Sequence, residues 1–120
     1  MIESAYYRAV HDAAPLEIWL EVMKNYPDMK FWVAHNKTVP VEILKILATD
    51  DDVRVRAMVA QKRKLPERLQ LKLAKDPDYS VRQSLVYNAK ITKKTLDMLL
   101  QDPEQKIKKL AENKIIKHSS

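Results

Sequence analysis

The chain of 120 residues has no glycine, no cysteine and a single phenylalanine. An average composition would supply roughly eight glycines. Without them no glycine-rich loop can bring backbone amides against a phosphate, so the P-loop and the dinucleotide-binding fingerprint are excluded, and the tight primed turns of β-hairpins are disfavoured. Without cysteine there is no disulfide, no thiolate-held iron–sulfur cluster, no Cys-ligated zinc and no thiol nucleophile. That suits a reducing compartment, and a cytoplasmic location is expected. No apolar run approaches the eighteen residues of a membrane span, and "MIESAYYRAVHDAAP" has an acidic residue and no apolar core, so neither a membrane partner nor a signal peptide is expected.

Catalytic constellations are also missing. The histidines His11, His35 and His118 are scattered, with no two at metal-ligand spacing, and there is no Ser-His-Asp order and no G-x-S-x-G elbow. "TDDDV", residues 49–53, lacks both the spacing and the glycine of a calcium loop. It reads as the start of a helix with Asp52 near the cap, where the helix dipole favours acids. A non-enzymatic protein without metal or cofactor is the expectation, and a monomer is the default.

What is present is charge and repetition. The net charge of +6 is uneven: residues 1–53 hold five Lys/Arg against nine Asp/Glu, a balance of −4, and residues 54–120 hold seventeen against seven, a balance of +10. An acidic partner for the second half follows from that asymmetry. Sliding the sequence on itself by 26 residues brings Val55-Arg56 onto Val81-Arg82, Ile107-Lys108 and Met29-Lys30. The same shift superposes Asp50 on Asp76 and Asp102, Pro77 on Pro103, Leu47 on Leu73 and Leu99, and Val39-Pro40 on Leu65-Pro66 and Ile91-Thr92. Apolar, acidic, basic and proline positions keeping one period mark a solenoid of stacked units.

Each unit reads as two short helices. The first buries positions such as Val55, Met58, Val59, Val81 and Leu85, and ends near Asn36 or Asn88, residues suited to a left-handed cap. The second opens with Pro40 or Pro66 in its first turn and buries Ile43, Leu44 and Leu47, or Leu65, Leu69 and Leu73. A one-residue deletion extends the register back to Pro15, Ile18, Trp19 and Val22. The expected architecture is a single all-α domain over 1–120: helix pairs at about 3–27, 28–52, 53–78 and 79–104, and a terminal capping helix over 105–117.

The stretch "DDDVRVRAMVAQKRKLPERLQLKLAKDPDYSVRQSLVYNAKIT" resembles HEAT-like repeats, and its short "VRxxVA…LP…L…LAxDPD" cadence is closest to the leucine-rich repeat variant family. The resemblance covers residues 28–114 clearly and 3–27 loosely. It departs at Thr92, where the cadence has Pro, and at Lys108, where it has Arg. It implies a right-handed α-solenoid, or superhelix, acting as a binding scaffold. It also implies that Asp50/Arg56, Asp76/Arg82 and Asp102/Lys108 form an internal ladder across neighbouring units, looser at Lys108 because a lysine lacks the bidentate fork.

The basic run Lys62-Arg63-Lys64 is not demanded by the period, since its equivalents are Asn36-Lys37-Thr38 and Asn88-Ala89-Lys90. With Arg68, Lys72 and Lys94 on the second helices it supplies candidate contacts to an acidic partner. Phe31 aligns with Ala57, Gln83 and Lys109, and Tyr87 with His35, Gln61 and Asn113, so these rings stand at tolerant or polar positions and are candidate aromatic anchors. The function expected is protein–protein binding through the second-helix array. The alternative is binding of nucleic acid through phosphates by residues 54–117.

Overall fold

The computed structural model describes residues 15–119, with side chains to residue 117. His11, the side chain of His118 and the beginning of the unit expected at 3–27 lie outside the described residues. Eight α-helices and no strands are found within them: α1 Leu16–Asn25, α2 Lys30–His35, α3 Val41–Leu47, α4 Val53–Ala60, α5 Glu67–Leu73, α6 Tyr79–Val86, α7 Lys93–Leu99 and α8 Gln105–Ser119. A 3-10 turn, Pro27–Met29, leads into α2. Contacts divide the chain into two compact units, Met1–Val59 and Ala60–Ser120.

Six of these helices have only six to eight residues. Isolated helices shorter than about 12–15 residues are marginal in water, so burial of one face must hold them. In the first unit α1 packs on α2 and α3, and α2 on α3, around Trp19, Val22, Val33, Ile43, Leu44 and Leu47, none more than 1% exposed. In the second unit α5 lies beside α7 and α6 beside α8, and each helix also touches its neighbour in sequence. Leu73, Val81, Leu85, Leu99, Ile107 and Ala111 are closed between them. Burying a leucine-sized side chain contributes about 1.5–3 kcal/mol, enough over these positions to offset the ordering of such short helices. The core residues expected from the period are buried, apart from Met58 and Ile18, which are half-covered.

The helix starts share one device. Pro15, Pro40 and Pro66 sit one residue before the first helical residue, in extended conformation (ψ 152°, 154° and 151°), rather than within the first turn. Their fixed φ suits this place, and the missing N–H would have had no partner in the helix. The Pro40 carbonyl accepts from Ile43 and Leu44, and the Pro66 carbonyl from Leu69 and Gln70. The helix ends differ from expectation: among the described residues none has a positive φ, and Asn36 is extended at φ −66°, ψ 131°. Asn36 instead turns its side chain onto the chain ahead, its Oδ1 accepting from the Thr38 amide at 2.8 Å; Asn88 does the same with the Lys90 amide at 2.7 Å. A side-chain acceptor two residues back closes these turns without a left-handed residue.

Candidate binding surfaces

Surface groups available to a partner are those that the fold does not use, so the internal polar contacts come first. Asp50, Asp76 and Asp102 each donate the backbone N–H to the carbonyl three residues earlier, at 3.1 Å in all three. Each carboxylate accepts the amide two residues ahead: Asp52 at 3.0 Å, Asp78 at 2.9 Å and Glu104 at 2.8 Å. With the carboxylates turned forward, the arginines of the same turns take main-chain oxygens: Arg56 Nη1 donates to the Asp50 carbonyl at 2.8 Å and Arg82 Nη1 to the Asp76 carbonyl at 2.7 Å. The pairing inside the Asp/Arg column thus differs from a simple six-residue ion pair.

Two of the observed ion pairs run over twenty residues. Lys30 Nζ meets Asp50 at 2.9 Å, and Arg82 Nε meets Asp102 at 2.8 Å. The Arg82 and Asp102 side chains are 12% and 2% exposed, so one guanidinium ties two successive turns in a largely dry setting. No hydrogen bond or ion pair joins Lys108 to Asp102 among the described residues; the Asp102 carboxylate is occupied by Arg82 and the Glu104 amide. Asp52 precedes α4 and accepts from the Arg54 amide at 2.9 Å, while the Arg54 guanidinium reaches the same carboxylate at 2.9 Å. The Arg54 hydrogen bond holds the Asp52 carboxyl below its usual range, and Asp52 in turn raises Arg54.

A second column escaped the sequence reading. Asn88 Nδ2 donates to the carbonyls of Ala60 at 2.9 Å and Lys62 at 2.8 Å, which lie 28 and 26 residues earlier. Lys114, twenty-six residues after Asn88, gives its ammonium to the carbonyls of Val86 and Asn88, again 28 and 26 residues earlier. An amide and an ammonium thus perform the same stapling of one turn onto the next. Lys62 stands on this column between Asn36 and Asn88. It is half-buried, and burial first, then the charge of Lys64, lowers its ammonium from the ordinary value to about 8. Burial also lowers Lys114 and Lys64. The signal was visible at positions 36, 62, 88 and 114, all of which carry a side-chain donor.

A third contact has no counterpart in the period. Gln70 is 1% exposed where the equivalent residues are Leu44 and Leu96. Its Nε2 donates to the carbonyls of Leu65 at 3.0 Å and Lys90 at 3.3 Å, and its Oε1 accepts the Thr92 amide at 3.0 Å.

The remaining charges face water. Arg63 and Lys64 are exposed in the turn before α5, Arg68 and Lys72 lie exposed one turn apart on α5, and Lys94 is exposed on α7 beside it. Arg63, Arg68, Lys72 and Lys94 have no ion pair among the described residues. Tyr87 is 58% exposed, whereas Phe31 is half-covered and packs edge-on against Trp32, with centroids 5.4 Å apart at 87°. Trp32 is the more open ring of that pair, at 44%. Leu16, Leu20 and Ile46 are also exposed, a second feature that the period did not single out. A cavity of about 240 Å³ in the first unit is lined by Asp28, Asp50, Asp51 and Asp52 together with Lys30 and Arg54, and the last two are ion-paired to Asp50 and Asp52. Among the described residues no three His, Asp or Glu side chains are grouped to hold a metal, and no helix is long and apolar enough to cross a membrane.

The described residues form an all-helical protein, without strands. No family model, curated protein or solved structure matches it.

Proposed function

We propose that the chain is a HEAT-like α-solenoid, with a cadence like that of the leucine-rich repeat variant family, and that it acts as a non-enzymatic scaffold binding a protein partner through its second helices, α1, α3, α5 and α7. The carrying observation is that the second helices keep one position exposed in every period and change its charge: Glu17 on α1, Glu42 on α3, Arg68 on α5 and Lys94 on α7. Among the described residues none of these four side chains has an ion pair, so their charges are open to a partner. Leu16 and Leu20 on α1 and Ile46 on α3 are exposed on the same set of helices. Apolar groups beside charges of defined sign are what a protein interface buries at its centre and arranges at its rim.

The experiment is capture of a partner on the immobilised full chain, compared with the variant Arg68→Glu, Lys72→Glu, Lys94→Glu and with Leu20→Ser, Ile46→Ser. The expected result is a nuclease-resistant protein partner, retained by the wild type and weakened at least tenfold by both variants, with unchanged helix content. Retention indifferent to both variants, or lost on nuclease treatment, refutes the reading.

A further inference from the structure

The second unit segregates its charge between its two edges. Its turns alternate: residues 61–66 and 87–92 lie together, because Asn88 bonds the carbonyls of Ala60 and Lys62, while residues 74–78 and 100–104 lie together at the other edge, joined by Arg82. The latter edge holds Asp76, Asp78, Asp102 and Glu104. The former holds no acid at all: "QKRKLP" and "YNAKIT" carry Lys62, Arg63, Lys64 and Lys90. The fold deepens this imbalance. Residues 60–120 contain fifteen Lys/Arg and seven Asp/Glu; Arg82 and Lys114 are spent internally on one side, and the buried Asp76 and Asp102 and the capping Asp78 on the other. The exposed carboxylates of the unit, Glu67, Asp97, Glu104 and Glu112, all lie outside the two acid-free turns.

The acid-free edge is also held in place. Asn88 staples the later turn to the earlier one, Gln70 binds the Lys90 carbonyl and the Thr92 amide, and Lys114 holds the Asn88 carbonyl from behind. Arg63, Lys64 and Lys90 therefore project from fixed backbone, with Lys64 and Lys90 at equivalent positions of adjacent turns. Tyr87, the C-cap of α6, opens the later turn with most of its ring in water.

We infer that this edge, with Arg63, Lys64, Lys90 and Tyr87, binds single-stranded nucleic acid, the cations meeting phosphates and the Tyr87 ring stacking on a base. A folded protein partner would need about 800 Å² with an apolar centre. Of the exposed large apolar side chains of this unit, Tyr79, Tyr87 and Ile116, only Tyr87 belongs to these turns. A single strand needs only a cationic track and a stacking platform, which is what the edge offers. The edge consists of turn residues, whereas Arg68, Lys72 and Lys94 stand on α5 and α7, so separate variants distinguish the two surfaces.

The test is fluorescence anisotropy of the full chain with a labelled twelve-residue oligouridylate at low salt, against inorganic polyphosphate and polyglutamate as competitors. Arg63→Gln, Lys64→Gln, Lys90→Gln is expected to reduce the slope of log affinity against log salt by about 2, each phosphate contact contributing about 0.7 for a single strand. Tyr87→Ala is expected to weaken oligouridylate roughly tenfold and leave polyphosphate unchanged, the signature of stacking. Helix content and melting of each variant exclude misfolding. No binding at low salt, polyglutamate competing as well as the oligonucleotide, a Tyr87→Ala variant indifferent to the base, or dependence on Arg68 and Lys72 instead of the turn residues overturns the inference.

Discussion

Gln70 and Thr92 complete each other: the buried Gln70 Oε1 accepts the Thr92 amide at 3.0 Å, and that amide exists only because position 92 is not the proline found at Pro40 and Pro66. Two departures from the period are thus one contact. Thr92 keeps the extended geometry of the prolines, at φ −82° and ψ 157°, and its hydroxyl serves the Thr95 amide at 3.4 Å.

Gln70→Leu alone leaves the Thr92 N–H and the Lys90 carbonyl without this partner, and Thr92→Pro alone leaves a buried amide oxygen unmet. Each is expected to cost about 1–3 kcal/mol. Together they restore the residue types that the period carries one unit earlier, Leu44 and Pro66, so the double variant should recover at least about 1 kcal/mol of the summed loss in urea melts. Strict additivity would show that the two positions are independent.

Arg82→Ala removes the partner of a carboxylate that is 2% exposed and the donor to the Asp76 carbonyl. The expected loss is about 3–5 kcal/mol, against less than about 0.5 for the exposed Arg63→Ala. Arg82→Lys should fall between, since a lysine keeps the charge but not the fork. Equal melting curves for Arg82→Ala and Arg63→Ala would remove Arg82 from the internal framework.

Asn88→Ala and Lys114→Met each deprive two main-chain carbonyls of a donor, and each is expected to lower stability by about 1–3 kcal/mol. Asn113→Ala, at an exposed neighbouring position, should change it by less than about 0.5. Lys114→Met as harmless as Asn113→Ala would mean that the ammonium staple does not operate.

Lys62 gives stability a pH dependence of defined sign. Its ammonium titrates near 8 in the folded chain and near 10.5 when unfolded, so between these values the unfolded state binds more protons. Stability contributed by this site therefore rises as pH goes from about 8 to 10.5, and below 8 the cost of burying the charge is felt in full. Chemical melts from pH 7 to 10 should show a shallower rise for Lys62→Met than for the wild type. Identical slopes would place Lys62 in water.

Much of the helical arrangement is readable from one period. Val55, Val81 and Ile107, or Leu47, Leu73 and Leu99, recur because each must fill the same gap between helices, and burial follows spacing. The turns were harder. Asn36 and Asn88 suggest left-handed caps by residue type, yet their side chains bond forward instead, a choice set by the extended backbone that follows. The Asp/Arg column was expected to link neighbouring units, and Arg82 does meet Asp102 of the next turn; what spacing along a chain does not reveal is that the Asp50, Asp76 and Asp102 carboxylates also turn ahead to an amide. Asn88 and Lys114 show the opposite limit: an ammonium and an amide donate equally well to a carbonyl, so the two positions look unrelated by residue type while both bond the carbonyls 28 and 26 residues earlier. The open positions of Trp32, Leu20 and Ile46 carry no such signal, because an amphipathic pattern fixes the inward face of a helix and leaves the outward one unconstrained.

No described residue needs a positive φ, because carboxylates, amides and prolines shape the turns. Replacing a glycine by a residue that fits the native angles stabilises by about 0.4–1 kcal/mol, mostly by narrowing the unfolded ensemble. A chain with no glycine carries that restriction at every position. Its unfolded form is stiff before folding begins, so helices too short to survive alone start from fewer conformations than their length suggests.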